Sequence, residues 1–248
     1  AEKERMAAYG ADMNKYLDSG NEARIKKAYE SRDPRLQMAV ITPYAQYNGA
    51  SSGIAHTYTL RWPYRGSDSA EPFDIRTDTN DKFYYLWRKF VPEGLEQTER
   101  DTYGLDIPLI RYAEVLLLKA EALNEWGSTH ESEAIRCVNE VRRRAGHVEL
   151  NNATYPATKV NGQSDLRERI RNEYYWEIGG EDSMYFHELR WGTWKDKKFD
   201  NNRNGLMQMW GETTYTWYWL GDQCWSWPIP AKEMEMNSNL EQNEGWIN

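Results

Sequence analysis

The chain has 248 residues, 14% of them aromatic and 28% charged, with a formal net charge of −8. That acidity removes the basic footprint a nucleic-acid surface needs, no apolar run approaches the ~18 residues of a membrane helix, and no CxxC pair offers a structural zinc site. Leu, Ile, Val and Phe make up under a fifth of the chain, a level that leans towards disorder, but 12 Trp and 17 Tyr can build a core from aromatics instead.

Residues 1–30 read as helical, with Met6, Met13, Tyr16, Leu17, Ile25 and Tyr29 as the buried set and Gly20-Asn21 as a break. Arg32-Asp33-Pro34-Arg35 stops that segment, because the residue before a proline is biased away from helix. Residues 36–45 can hold a short strand. From Tyr47 to Gly104 the pattern is irregular, punctuated by Gly, Ser, Pro, Asp and Asn and scattered with rings, so 44–105 reads as an aromatic-rich loop excursion.

Residues 106–146 then read as a repeat-like helix pair. Ala113, Leu116, Leu117, Ala120 and Leu123 share one helical face. After a break at 127–131, Ala134, Val138, Val141 and Ala145 share another, and Gly146 is a natural stop. The unit is about as long as one ~34-residue tetratricopeptide repeat. Cys137 lies beside the second apolar face as a buried thiol, and a disulfide to Cys224 stays open.

A polar loop at 147–163 leads to a helix over 164–178 capped by Ser164 or Asp165, with Glu173 and Glu177 on its surface. A shorter helix covers 182–191. Residues 193–226 read as loop with a strand possible at 215–220, followed by Pro228-Ile229-Pro230 and a helical turn near 231–236. The rings Trp217, Tyr218, Trp219, Trp225 and Trp227 adjoin that turn and read as core.

No catalytic constellation of quality emerges. His187-Glu188 begins like HExxH, but position 191 is Trp, and none of the four histidines are paired at ligand spacing. Asp200–Gly205 imitates the first half of a calcium loop, but the bidentate Glu due at the twelfth position is Gly211, so an Asx-rich turn is the better reading. No metal and no cofactor are expected. Glu173, Glu177 and Glu181 run in line along one helix face, where Arg167, Arg169 and Arg171 are the expected partners. A glycosidase would need two carboxylates set across a bond. The run Arg142–Arg144 reads as a solvated or helix-end cluster complementing the dipole.

The aromatic excursion suits binding. A pyranose ring offers an apolar C–H face and a rim of hydroxyls, which an aromatic ring and nearby polar groups can match without reactive chemistry. The stretch HTYTLRWPYRGSD carries that mixture. Trp62 and Tyr64 are the leading ligand-binding candidates, followed by Tyr47, Arg65 and His56.

Six motifs, in order, resemble the C-terminal portion of the SusD/RagB family of nutrient-binding outer-membrane lipoproteins. They are Arg32-Asp33-Pro34-Arg35; RYAEVLL from Arg111, running on to Ala120-Glu121-Ala122-Leu123-Asn124; Asn139-Glu140-Val141-Arg142 with Ala145-Gly146; Leu166-Arg167 with Ile170-Arg171, Glu173, Glu177 and Glu181; Arg190-Trp191-Gly192; and Pro228-Ile229-Pro230 with Gln242-Asn243. Tyr174, Asp182 and Glu244 depart from the pattern, as does the pair His187-Glu188. The resemblance implies a mostly α fold: tetratricopeptide-like helical pairs with long irregular loops and a few short strands. It makes residues 1–248 a single SusD-like C-terminal region, with the N-terminal half of the family fold upstream of residue 1. It also implies cell-surface glycan binding without catalysis, for uptake through a SusC-like TonB-dependent outer-membrane transporter, and a lipid anchor outside this chain. The alternatives are a helical-repeat protein-interaction scaffold and, more distantly, a carbohydrate-active enzyme.

Overall fold

The structure, a computed structural model, describes residues 5, 8–10, 13–51, 54–60, 86–94, 104, 106–181, 183–199 and 219–246. The chain divides into two compact units, Ala1–Met184 and Tyr185–Asn248. The fold is mostly helical, as the sequence predicts.

In the first unit, α1 (Met13–Tyr16) runs through a π-type turn, Leu17–Asn21, into α2 (Glu22–Glu30). The expected break is a kink, with Ser19 and Gly20 off helical geometry. Tyr16, Leu17 and Ile25 are buried. Arg32-Asp33-Pro34-Arg35 does more than stop a helix. Proline at the first position and the Asp33 carboxylate, accepting from the Arg35 N–H at 2.9 Å, start α3 (Pro34–Ala39). The strand expected in 36–45 is therefore only β1 (Val40–Ile41).

The stretch from Tyr47, read as irregular, opens instead with an antiparallel hairpin of β2 (Gln46–Ser51) and β3 (Ile54–Thr59). The sequence HTYT alternates polar and aromatic residues at the period of a strand. A second two-stranded pairing joins β1 to β4 (Leu86–Trp87).

The predicted helix pair is α4 (Tyr112–Trp126) and α5 (Glu131–Arg144), joined by a 3-10 turn, Ser128–His130. Leu116, Leu117, Ala120 and Leu123 of α4 and Ala134, Val138 and Val141 of α5 are buried on the facing stripes. Each buried Leu or Val contributes about 1.5–3 kcal/mol relative to exposure. Cys137 is buried, and it and Cys224 are both free thiols.

Helix α6 (Gln163–Ile178) packs on α4, α5 and α3. It begins one residue before the predicted cap, and Gly162 takes the cap position without a side-chain bond. Asp165 instead accepts from the Asn161 N–H at 2.8 Å and from Arg169 at 2.9 Å. Two asparagines of the helix motifs tie the elements together. Asn124 and Gln163 each donate to the other's carbonyl, joining the end of α4 to the start of α6. Buried Asn139 bonds both ways with the backbone of Leu150 and so holds the 147–163 loop onto α5.

The second unit contains most of α7 (Ser183–Arg190), then α8 (Trp194–Phe199), a 3-10 turn at Asp222–Trp225 and α9 (Ala231–Met236). Helix α8 lies inside the span read as loop. The predicted helical turn is α9, and the tail beyond it clamps the PIP segment: Gln242 bonds both ways with the backbone of Ile229 at 2.7 and 3.0 Å. Among the described rings of the predicted core cluster, none is fully buried. Trp219 and Trp225 are half-buried, tilted against each other at 5.0 Å, and Trp227 is exposed. Trp217, Tyr218 and the calcium-like turn at 200–211 lie outside the described residues.

Candidate functional site

The carboxylate row is not a surface feature, and only its Glu173 and Glu177 are on α6, because Gly179-Gly180 ends the helix before Glu181. Glu173 is fully buried and Glu177 nearly so. Arg167, Arg169 and Arg171 do not serve them; these pair with Glu125, Asp165 and Glu168 respectively. The reason is geometric. Residues four apart on a helix share a face, and this face turns inward, so its partners must come from other elements.

Arg35, from the start of α3, reaches Glu173 at 2.7 Å, Glu177 at 3.2 Å and Asp33 at 2.6 Å. Arg111, just before α4, donates to Glu177 at 2.9 Å and Glu181 at 2.6 Å. Arg144 reaches Glu177 at 2.5 Å, and Lys89 pairs with Glu181. Arg142 Nε lies 3.5 Å from Glu173 Oε2 without forming a hydrogen bond. The Arg142–Arg144 run is thus a helix-end cluster as expected, but only part of it is solvated. Arg142 is only 6% exposed and faces Glu173, whereas Arg143, on Glu149, and Arg144, on Glu177, are exposed at the helix end.

Burial pushes the Glu173 carboxyl up despite Arg35 and Arg142. Burial also works against Asp33 and Glu181, but hydrogen bonds from Arg35 to the first, and from Arg111 and Lys89 to the second, hold both below the usual carboxylate range. His147, 3.7 Å from Asp33, is held down by burial and by Arg142. Every carboxylate here is committed to a cation, so the cluster ties four sequence motifs together and offers no free acid–base pair.

The aromatic and amide groups of a kind suited to binding lie at the hairpin. Tyr47 pairs with Tyr58, and Gly49 with His56, so all four share one face. Glycine is required at position 49, where a Cβ would meet the Tyr58 ring at 2.8 Å and the Tyr47 ring at 3.2 Å. The His56 and Tyr58 rings meet edge to face at 6.2 Å. The result is a half-exposed aromatic face with rings close over a glycine gap.

Gln46 and Asn48 alternate to the other face. There, with Lys26, Tyr29, Glu30, Gln37, Tyr44 and Arg88, they line a cleft of about 500 Å³. Tyr44 holds a left-handed backbone with φ 66°, sparsely populated for a bulky residue, and Lys26 Nζ sits 5.0 Å over its ring. Such outliers gather at ligand clamps.

A strap over 86–94 braces the hairpin. The Tyr47 hydroxyl donates to the Pro92 carbonyl at 2.7 Å. Glu93 accepts from the Asn48 N–H at 3.1 Å and from Arg88 at 2.6 Å, and Arg88 donates on to the Gln46 carbonyl. Lys89 donates to the Glu177 carbonyl at 2.9 Å, which links the strap to the end of α6.

Of the sequence-predicted site residues, Tyr47 and His56 are brought onto one hairpin face. Trp62, Tyr64 and Arg65 lie outside the described residues. Tyr58 was legible from the HTYT alternation. The cleft residues Lys26, Tyr44, Asn48 and Arg88 come from four separate elements and loops, and no spacing pattern unites them.

The sequence model of the SusD family matches residues 8–246. SusD-like protein P38 of Formosa agariphila is 32% identical over 139 residues, covering 56% of this chain and 24% of that protein. The starch-binding protein SusD of Bacteroides thetaiotaomicron is 28% identical over 161 residues, covering 64% of this chain and 25% of that protein. The chain thus spans about a quarter of the length of these curated relatives. Among solved structures, a SusD-like protein from Bacteroides fragilis matches with a TM-score of 0.60 at 23% identity, over 88% of this chain and 40% of that one. A SusD homologue from Bacteroides thetaiotaomicron matches with a TM-score of 0.54 at 24% identity, over 86% and 41%. At that level of identity the likeness is one of fold.

Proposed function

The chain belongs to the SusD family, and on that premise we propose that it binds glycans at the cell surface without catalysis. It then passes them to a SusC-like TonB-dependent transporter, held at the outer membrane by a lipid anchor outside this chain. The observation that carries the reading is the family match across residues 8–246, and a separately matched relative is named for starch binding. The hairpin supports it locally, since half-exposed Tyr47, His56 and Tyr58 on one face and amides with cations on the other suit the two characters of a sugar ring. Trp62, Tyr64 and Arg65, which follow β3 in the chain, complete the proposed site with Tyr47 and His56. The commitment of Glu173, Glu177 and Glu181 to guanidinium and ammonium partners argues against glycosidase chemistry along this carboxylate row. No helix of the described residues is long and apolar enough to cross a membrane.

One observation favours a second reading, a protein-interaction scaffold. Tyr112, Val115, Leu118 and Trp126 of α4 are exposed, as are Ile107, Leu109 and Ile110 just before it. A glycan array probed with the intact chain separates the two. Retention on one glycan class supports the proposal, whereas no retention on any, with protein partners still captured through α4, supports the scaffold.

A further inference from the structure

Trp227 stands apart from the other described tryptophans of the second unit. Trp191, Trp194, Trp219, Trp225 and Trp246 are half-buried, whereas Trp227 is 69% exposed. Yet it is held at its ring edge and at its backbone. Its indole N–H donates to the Tyr185 hydroxyl at 3.1 Å, and its carbonyl accepts from the Asn243 amide at 2.6 Å. Pro228 follows it and restricts its backbone. Tyr185 is fixed in turn by edge-to-face contacts with Trp194 at 4.9 Å and with Phe186, itself exposed, at 5.3 Å.

An indole left mostly in water returns little hydrophobic stabilisation to the fold, while ordering it costs side-chain entropy. A rigid, exposed ring with its only polar atom already satisfied is instead suited to binding, because the entropy of ordering has been met in advance. We propose that Trp227, flanked by Tyr185 and Phe186, is a second glycan-stacking site, carried by the Tyr185–Asn248 unit rather than by the hairpin. The indole covers the C–H face of a pyranose, and the Tyr185 hydroxyl and Asn243 amide lie at its rim. These groups are neutral, so the site takes a neutral sugar. The glycan class rests on the function proposed above; the position of the site does not.

The test uses the full chain in native gels cast with amylopectin, xylan, laminarin or alginate, then calorimetry with the hexasaccharide of whichever polymer retards it. The unsubstituted protein is expected to bind a neutral polymer and to show two sites. Trp227→Ala removes one of them or weakens it roughly tenfold, the change that about 1.4 kcal/mol of lost stacking makes. Trp227→Phe retains most of the binding, and Tyr185→Phe, which releases the indole but keeps the rings, falls between. Trp62→Ala with Tyr64→Ala leaves the Trp227 site intact. Two sites of unchanged affinity in Trp227→Ala would overturn the proposal while leaving the hairpin reading standing. Retention by alginate alone would contradict the neutral-sugar assignment. If the unsubstituted protein is retarded by none of the four, the glycan-binding function and this site fail together.

Discussion

Helix α6 and the β2–β3 hairpin belong to the same unit and put polar groups to opposite use. On α6 the charges are inside: Glu173 is fully buried, Arg35 and Arg142 nearly so, and each contact joins elements far apart in sequence. On the hairpin the polar and aromatic groups are at the surface, and the contacts that hold it are single hydrogen bonds from a strap. Removing one member of a buried ion cluster strands its partners in a medium that cannot solvate them. Removing one surface ring loses only what that ring touches. The motifs that identify the family therefore specify the scaffold, and the hairpin surface can vary without disturbing it.

The largest predicted effect tests the α6 side. Glu173→Ala leaves Arg35 and Arg142 without their shared buried carboxylate and should cost about 3–5 kcal/mol, enough to unfold a marginal domain. Denaturant unfolding of the variant measures it, and a loss below about 1 kcal/mol would show that the cluster is not what binds α3, α5 and α6 together. Gly180→Ala comes next. Gly180 has φ 82°, and an added Cβ would lie 2.6 Å from the Trp87 ring. Backbone strain of about 1–3 kcal/mol is expected, along with displacement of β4, visible as altered Trp fluorescence.

Acid should act on the cluster. His147, Asp33 and Glu181 all have folded-state pKa values below their ordinary 6.5, 3.8 and 4.5. Each therefore binds fewer protons folded than unfolded, and its contribution is complete above the ordinary value and lost as pH falls through the folded one. Glu173, pushed up, has the opposite sign and favours folding in its protonated form. Stability should first decline below about pH 6.5 and again below about 4, and His147→Gln should flatten the first step in a series of melting curves. The smallest effect is at the hairpin: Tyr47→Phe loses the bond to Pro92 at about 0.5–1.5 kcal/mol. Glycan affinity should barely change if the ring, not the hydroxyl, meets the sugar.

Much of this scaffold is legible in the sequence, because a 3.6-residue period in α4 and α5 reports burial directly. The Glu173 row is legible as a face but not as an inward one. Three arginines on the same helix offer a local explanation, while the true partners, Arg35, Arg111, Arg142 and Arg144, lie on three other elements. The hairpin hides for another reason. Gly49 and Ser51-Ser52-Gly53 read as loop, and only the cross-strand packing of Tyr47 and Tyr58 over a missing Cβ explains the glycine. The C-terminal tryptophans mislead because a ring count predicts a core, whereas Trp227 is held by hydrogen bonds at its edge and left open on its face.

The claim that binding and scaffold are separable is tested most directly by one paired measurement on Trp62→Ala with Tyr64→Ala: affinity for the retarding polysaccharide and the melting temperature of the same sample. If the two are separable, hairpin-site binding falls at least about tenfold, or 1.4 kcal/mol, with the melting temperature unchanged. Unchanged affinity, or affinity lost only together with a collapsed melting temperature, would contradict the claim.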